Sequence, residues 1–166
     1  MKGKNPKDSA VSDQIFPIFP NDLNSNDTVF GGHVMALLDR LSLVVAERHS
    51  ERTCVTVSVD AMHFLAPAVK GDNLVIHACV NKSWSSSMEI GLKVCARNPR
   101  LGKKKHIVSA YYTFVAVDAN GKPIPVPEII PETKCEKRRF EEAEIRRKNR
   151  MKQAEELKAF RKQYDS

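Results

Sequence analysis

The sequence has 166 residues, of which 42% are hydrophobic and 28% are charged, and its formal net charge is +7. These proportions are typical of a globular domain with a real core, and no apolar run approaches the roughly 20 residues that cross a bilayer. Four cysteines lie far apart without a CxxC pair, so we expect reduced thiols in a cytoplasmic protein and neither disulfides nor zinc ligands.

The region before the first helix is predicted to contain one short strand. Residues 1–13 are polar and lack the apolar stretch of a signal peptide, so we predict a flexible N-terminus there. QIFPIFP, at residues 14–20, predicts the strand, and the amide-rich loop NSNDT follows at residues 24–28. We expect a single domain over residues 14–131.

One strong helix is predicted, and it carries a carboxylate, Asp39, within an apolar run. Its large apolar side chains are expected to pack on a sheet: Leu37, Leu38, Leu41, Val44 and Val45. Small residues share the face of Asp39 at helical spacing: Gly32, Ala36, Ser42 and Ala46. Such a stripe allows close approach by a ligand or by a helix of another subunit. On the residues alone, Asp39 is either catalytic or a buried acid paired with Arg40, His33 or a backbone donor.

The two glycines that begin this helix suit the binding of a developing negative charge. At Gly31 and Gly32 the backbone N–H groups have no partner inside the helix, and no Cβ blocks their approach. Together with Asp39 and an amide from Asn24 or Asn26, they would form a workable set for adding water to an acyl group.

Four segments with period-two alternation predict strands: residues 53–67, 74–81, 88–96 and 106–117. Their connections are short and contain no helix, so we expect an antiparallel meander in chain order. The core positions are predicted to be Val55, Val57, Val59, Ala61, Leu74, Ile76, Ala78, Val80, Met88, Ile90, Leu92 and Val94. A sheet with one helix must curl around that helix, which indicates the α+β class.

The last segment, residues 132–166, is predicted to be a charged helical extension. It holds twelve Lys or Arg and eight Asp or Glu, so it carries +4 of the net charge. Acid-to-base pairs such as Glu142 with Arg146 support a solvated helix. Because the acids interleave with the bases, a nucleic-acid arm is disfavoured, and a partner or an anionic ligand stays an alternative.

Several other chemistries are disfavoured by the sequence. His63, His77 and His106 lie in separate strands without ligand spacing, so we expect no metal site. The absence of a GxSxG element disfavours an α/β-type serine hydrolase. Asp60 is an alternative acid, for which a hydrogen-bonded structural role is favoured.

Four runs in this order resemble the hotdog-fold acyl-CoA thioesterases: NSNDTVFGGHVMALLD, CVTVSVDAMHFLAP, NKSWSSSMEIGLKV and SAYYTFVAVDANGKPIPVP. The resemblance is strongest to the cytosolic acyl-CoA hydrolases, the class of the brain enzyme and the bacterial YciA type, and it covers roughly residues 15–150. It implies a hotdog fold, a curled antiparallel sheet wrapped around one long central helix, followed by the charged C-terminal helix. It also implies an enzyme that hydrolyses fatty acyl-CoA to a fatty acid and CoA.

The same resemblance assigns roles to individual residues. The family's helix acid falls on Asp39, implying a general base or a nucleophile, and its asparagine falls on Asn24, which would position water or the thioester. The loop departs at Asn26 or Asp27 from the bacterial type, which commonly has a glycine there. Substrate contacts are implied at Gly31, Gly32, His33, Phe64, Ser85, Ser86, Ser87 and Met88.

The resemblance also implies partners. A homodimer is expected, with Asn24 of one subunit facing Asp39 of the other. Such dimers are expected to assemble into a hexamer. No cofactor is expected, because a thioester is already activated and needs only a base and an oxyanion hole. We expect neither a nucleic-acid partner nor membrane insertion. The alternative function is a non-catalytic hotdog module that binds acyl-CoA or CoA, whereas a dehydratase that uses His33 is disfavoured because the thioesterase acid is present.

Overall fold

The computed structural model describes residues 2–164, which divide into one unit ending at Ile130 and another beginning at Pro131. The elements of the first unit are β1 (Val11–Pro17), α1 (Gly31–Ser50), β2 (Cys54–Val59), β3 (Asn73–Ser83), β4 (Ser87–Arg97) and β5 (Lys104–Ala116). Short 3-10 turns lie at Pro6–Asp8 and Pro20–Asp22. The α+β class predicted from the sequence is therefore confirmed.

The five strands form one antiparallel sheet in the order β1-β3-β4-β5-β2, curled around α1, which contacts β2, β3, β4 and β5. The predicted meander is right for β3, β4 and β5 and wrong for β2. β2 pairs with β5, as in Cys54↔Ala116, whereas β1 takes the edge beside β3. Residues 60–72 first run along β5, where Asp60 N and Leu65 N donate to backbone carbonyls of that strand. They then lead to β3, which lies beyond β5 and β4 in the sheet, so this connection is a crossover and not a hairpin.

The core lies between α1 and the sheet. The predicted positions on β3 and β4 are all buried, with exposed fractions of at most 3%: Leu74, Ile76, Ala78, Val80, Met88, Ile90, Leu92 and Val94. The prediction for β2 is wrong, because Val55, Val57 and Val59 are exposed. A register shift between Thr56 and Ser58 breaks the alternation, and the strand lies at the sheet edge.

Helix α1 is rotated from its predicted orientation. Val34, Leu38, Leu41 and Val45 are buried as expected for an apolar stripe, but so are four residues with small or polar side chains: Ser42, Ala46, His49 and Ser50. Val44 is instead exposed, and Leu37 is half-buried. Small side chains toward the sheet let the helix backbone approach it closely, while Gly32 and Ala36 remain exposed.

The predicted flexible N-terminal segment makes defined contacts from Lys4 onward. Backbone hydrogen bonds join Lys4 N to Glu128 O and Ile130 N to Lys4 O, both at 2.9 Å. The Lys4 ammonium also donates to the carbonyl of His49 at 2.9 Å, at the end of α1. β1 begins at Val11, inside the segment predicted to be flexible. The predicted limits 1–13, 14–131 and 132–166 stay predictions as domain boundaries.

The second unit contains helix α2, Lys134–Arg161. Thr133 begins it with a capping box, in which Glu136 N donates to Thr133 Oγ1 at 3.2 Å and the Glu136 carboxylate accepts from Thr133 N at 2.9 Å. The predicted pair of Glu142 with Arg146 is present at 3.9 Å. Within residues 2–164, neither helix combines the length and the apolar character that a bilayer span requires.

Candidate active site

Asp39 is half-buried on α1 and is held from one side only. Thr56 Oγ1, on edge strand β2, donates a hydrogen bond of 2.8 Å to Asp39 Oδ1. Asp39 Oδ2 makes no hydrogen bond within the described part of the chain. None of the partners weighed from the sequence, Arg40, His33 or a backbone donor, bonds this carboxylate among those residues. One carboxylate oxygen is thus held by a hydrogen bond, and the other has no hydrogen-bond partner among these residues.

A buried tyrosine lies beneath the turn that carries Asp39. Tyr112 of β5 is 2% exposed, and its hydroxyl donates to the carbonyl of Met35 at 3.1 Å. Burial, with a smaller contribution from the negative charge of Asp39, raises the pKa of Tyr112 to about 12. The hydroxyl therefore stays protonated at neutral pH and remains a donor to α1.

The start of α1 is open and flanked by two aromatic rings. Phe30 is the N-cap residue and supplies no side-chain cap, and the N–H groups of Gly31 and Gly32 donate no hydrogen bond among residues 2–164. A Cβ at Gly32 would lie 2.5 Å from Phe30 Cε1, whereas a Cβ at Gly31 would meet Phe64 Cζ at 3.6 Å. Both phenylalanines are about half-exposed, at 59% and 47%. The geometry offers two donors beside an apolar surface.

Asn24 organises its own loop. Its Oδ1 accepts from Asn26 N at 2.9 Å and from Thr28 N at 3.3 Å, and its Nδ2 donates to Thr28 Oγ1 at 2.9 Å. Asp27 has a φ of 55°, the left-handed conformation in which glycine is at ease. No hydrogen bond links Asn24 to Asp39 in the chain as described, so the structure does not join these two candidates within one subunit.

The remaining predicted contacts lie at two places. His33 follows the two glycines, with Nε2 3.5 Å from Asp22 Oδ1. Ser85 and Ser86 form the β3–β4 turn, where their carbonyls accept from Val126 N and Ala116 N at 3.0 Å. The Ser87 carbonyl accepts from Trp84 N, and the Met88 side chain is fully buried in the core. These three carbonyls already accept hydrogen bonds within the fold. The backbone groups that this turn could offer a ligand are therefore N–H groups.

Sequence reasoning missed Thr56 and Tyr112. Thr56 alternates with valines that were predicted to be buried, so it belongs to the opposite, polar face of the strand. That alternation was a signal by which Thr56 could have been found. Tyr112 gave no such signal, because a tyrosine in a buried strand is ordinary core. Among the described residues, no three His, Cys, Asp or Glu side chains group as a metal ion would require.

Comparison with known proteins supplies a context for this geometry. Residues 26–103 match the model of the thioesterase superfamily. An uncharacterized acyl-CoA thioester hydrolase of Bacillus subtilis is 39% identical over 119 residues, which are 72% of this chain and 69% of that protein. The cytosolic acyl coenzyme A thioester hydrolase of Rattus norvegicus is 37% identical over 149 residues, 86% of this chain. The chain spans only 39% of the length of that rat protein.

Solved structures agree over nearly the whole chain. A hexameric acyl-CoA thioesterase superposes with a TM-score of 0.89 at 34% identity and covers 93% of this chain and 98% of its own. The acyl-CoA hydrolase of Staphylococcus aureus, solved with butyryl coenzyme A and coenzyme A, gives a TM-score of 0.88 at 32% identity and covers 98% of this chain and 99% of its own. Variants of the staphylococcal enzyme have also been solved in which an aspartate, an asparagine or a threonine is replaced by alanine.

Proposed function

Because this chain belongs to the hotdog-fold acyl-CoA thioester hydrolases, we propose that it hydrolyses fatty acyl-CoA to a fatty acid and free CoA, with Asp39 as the reacting carboxylate. The observation that carries the proposal is the hydrogen bond of 2.8 Å from Thr56 to Asp39 Oδ1, with Oδ2 left unbonded in the described chain. A carboxylate fixed by one oxygen presents the other in a defined direction, as a base or a nucleophile requires.

The chemistry needs two proton transfers and one bond exchange. As a general base, Asp39 Oδ2 takes a proton from water while the water oxygen bonds to the thioester carbon. The negative charge that develops on the carbonyl oxygen is stabilised by the N–H groups of Gly31 and Gly32. The carbon–sulfur bond then breaks, and the CoA thiolate takes the proton that Asp39 holds, which restores the carboxylate. As a nucleophile, Asp39 would instead bond to the carbon directly, and water would hydrolyse the resulting anhydride.

The staphylococcal variants support these assignments through their spacing. Their altered asparagine, aspartate and threonine follow one another at intervals of 15 and 17 residues. Asn24, Asp39 and Thr56 are the same residue types in the same order and at the same two intervals. We therefore assign Asn24 to positioning water or the thioester and Thr56 to orienting the carboxylate. Gly31, Gly32, His33, Phe64, Ser85, Ser86, Ser87 and Met88 stay proposed substrate contacts.

A dimer is proposed to complete the site. Asn24 and Asp39 are not joined within one chain, and edge strand β2 beside Asp39 exposes Val55, Val57 and Val59 at 40–55%. An edge with apolar side chains invites pairing with a second copy. The hexameric relative supports assembly of such dimers into a hexamer. The name of the rat relative supports a cytoplasmic location for this chain.

The alternative is a non-catalytic module that binds acyl-CoA or CoA, and Asp39→Asn separates the two functions. We would measure release of free CoA thiol from an acyl-CoA series, for the wild type and the variant. Loss of a general base is expected to lower kcat by ~100-fold or more, while CoA affinity measured by calorimetry is kept. The length profile of the wild type would identify the preferred acyl chain.

Glu47→Gln is a matched control, because it removes an exposed carboxylate two turns away on the same helix and should leave CoA release unchanged. If the wild type releases no CoA from any acyl-CoA, and the wild type and Asp39→Asn bind CoA with the same affinity, Asp39 is structural. The binding module is then the function.

A further inference from the structure

One end of the sheet carries a cluster of positive charges. The basic hairpin, defined as residues 97–105, joins β4 to β5 and contains Arg97, Arg100, Lys103, Lys104 and Lys105, all exposed. From Ile90 to Val117 the sequence has no Asp or Glu at all. This pattern differs from α2, where acids and bases alternate, and it cannot be neutralised by neighbours along the chain.

The basic hairpin is a shaped projection and not a loose loop. Asn98 N donates to Lys103 O and Gly102 N donates to Asn98 O, both at 3.0 Å, and Gly102 has a φ of 63°. Asn98 Oδ1 accepts from the N–H groups of Arg100 and Leu101 at 3.1 Å. Leu101, inside this bonded turn, is 67% exposed. The turn thus presents a large apolar side chain between cations.

Neighbouring segments extend the same surface. The register Pro17↔Asn73↔Arg97↔Lys104 places the end of β1 in the same row as the hairpin, and Phe19, two residues beyond β1, is 62% exposed. Asn98 Nδ2 donates to Asp72 Oδ1 at 3.1 Å, which brings the loop with exposed Lys70 alongside.

Two acids, Asp72 and Asp22, lie near this end, but they are outnumbered by the five cations of the basic hairpin together with Lys70. Asp72 is 5% exposed and engaged by Asn98 and Val69 N, and Asp22 accepts from Phe19 N and faces His33. The outward surface at this end therefore combines cations with exposed apolar side chains.

We propose that this end of the sheet is a docking surface for an anionic lipid bilayer. Juxtaposed Lys and Arg side chains are attracted by the surface potential of anionic lipids, and exposed apolar side chains such as Leu101 and Phe19 reach the headgroup level. A single bound phosphate would use few of these cations and neither apolar residue. The surface projects and spreads over a hairpin, which matches a plane better than a small ligand.

Docking of this kind goes beyond the proposed hydrolysis and does not depend on it. The two would nonetheless fit together physically. Each buried CH₂ of an acyl chain favours the bilayer by ~0.8 kcal/mol, so long-chain thioesters gather at membranes. A hydrolase held at the bilayer surface would meet its substrate where the substrate is concentrated.

Vesicle cosedimentation of the full chain tests the inference. The vesicles are pure phosphatidylcholine, or phosphatidylcholine with phosphatidylserine, at low and at physiological salt. One triple variant changes Lys103, Lys104 and Lys105 to Gln. A matched variant changes Lys148, Lys152 and Lys158 of α2 to Gln and lowers the net charge equally. We expect binding only to anionic vesicles, weakened on the order of 100-fold in the hairpin variant and nearly unchanged in the α2 variant. Leu101→Ser should weaken it further at physiological salt.

Four results would overturn the inference. The wild type fails to sediment with anionic vesicles at low salt, or the two triple variants lose binding equally, which would reflect net charge alone. Alternatively, free CoA displaces the protein from vesicles and the hairpin variant raises KM for acyl-CoA, which would make the hairpin a site for the phosphates of CoA. Retention of single-stranded RNA at physiological salt without vesicle binding would likewise assign the surface to nucleic acid.

Discussion

At the scale of single residues, helix α1 buries two serines in opposite hydrogen-bonding states. Ser50 Oγ donates to Ala46 O at 2.9 Å and accepts from Arg52 N at 3.2 Å. Ser42 Oγ is fully buried on the face toward the sheet, with no partner among the described residues. A buried hydroxyl that loses water without gaining a protein partner lowers the free energy of unfolding.

Ser42→Ala is therefore expected to stabilise the protein. The substitution removes an unsatisfied hydroxyl and adds the better helix former, together worth about 1 kcal/mol in the free energy of unfolding. For a chain of this size we expect Tm to rise by roughly 2–4 °C. Thermal unfolding at one fixed protein concentration measures it. Ser50→Ala is the matched control and should lower Tm, because it removes bonded groups; a fall in Tm for both would show that Ser42 has a partner.

At the scale of elements, the start of α1 depends on the two glycines in different ways. Gly32 gives room to the Phe30 ring, because a Cβ there would lie 2.5 Å from Cε1, far inside van der Waals contact. At Gly31 a Cβ would make an ordinary contact with Phe64 at 3.6 Å. Since Phe30 is exposed, its ring can move away from an added Cβ at small cost to stability. The moved ring would then obstruct the backbone N–H groups beside it.

Gly32→Ala should accordingly reduce kcat/KM for acyl-CoA by on the order of 10- to 100-fold with little change in Tm, and more than Gly31→Ala does. The displaced Phe30 ring obstructs the donors that the proposed mechanism uses. Steady-state kinetics of the two single variants and of each combined with Phe30→Ala measures the coupling. The Gly32→Ala penalty should vanish in the Phe30→Ala background; an equal penalty in both backgrounds would mean that Phe30 is not involved.

The other end of α1 is tied to the connection that leads toward α2. The His49 side chain is fully buried, its Nε2–H donates to Pro127 O at 2.8 Å, and its Nδ1 has no partner among residues 2–164. Burial lowers the pKa of His49 from its usual 6.5, and the charge of Lys4 adds to this against the opposing effects of Pro127 and Asp8. The imidazole is neutral in the folded protein at neutral pH.

Acid should destabilise the protein through this histidine. Below pH 6.5 the unfolded chain binds a proton at His49 that the folded chain does not bind until its lower pKa is reached. Stability due to this group is therefore complete above pH 6.5 and is lost as the pH falls below it. Thermal unfolding from pH 7.5 to 5 should show a smaller loss of Tm for His49→Gln, whose amide can still donate to Pro127. Parallel profiles for both proteins would contradict this account.

At the scale of the whole molecule, the proposal is that two chains complete each site. Asn24 bonds within its own loop, and Asp39 lies beside the exposed edge strand β2, so one chain does not join them. If Asn24 of one subunit serves Asp39 of the other, two different inactive variants can repair each other. A mixed dimer of Asn24→Ala and Asp39→Asn holds one site with both lesions and one with neither.

Coexpression of these two variants should restore activity to about a quarter of wild type, because half of randomly paired dimers are mixed and each has one intact site. Each variant alone should release almost no CoA. The measurement is CoA release per subunit after both chains are purified through one tag that they share, so that all dimers are kept. Activity no greater than the mean of the separate variants would place the site within one chain. Mixing two preparations of the same variant is the control.

Local pattern in the sequence determined the elements and the candidate acid. Period-two alternation located the buried faces of β3 and β4, because each of these strands is flanked by partners and packs on α1. The single apolar helix made Asp39 a candidate acid, and four runs along the chain carried the resemblance to the family. These features depend on residues close together in the chain, where spacing alone decides which side chains share a face.

Tertiary structure decided what no local pattern contains. The place of β2 beside β5, the register shift that exposes its valines and the rotation of α1 all follow from pairing and packing between distant segments. The contacts around Asp39 also join segments that are distant in the sequence. Thr56 lies 17 residues from Asp39, and Tyr112 lies 77 residues from Met35. A hydrogen bond between such residues requires the closed sheet to bring them together, so the environment of the acid was visible only in the fold.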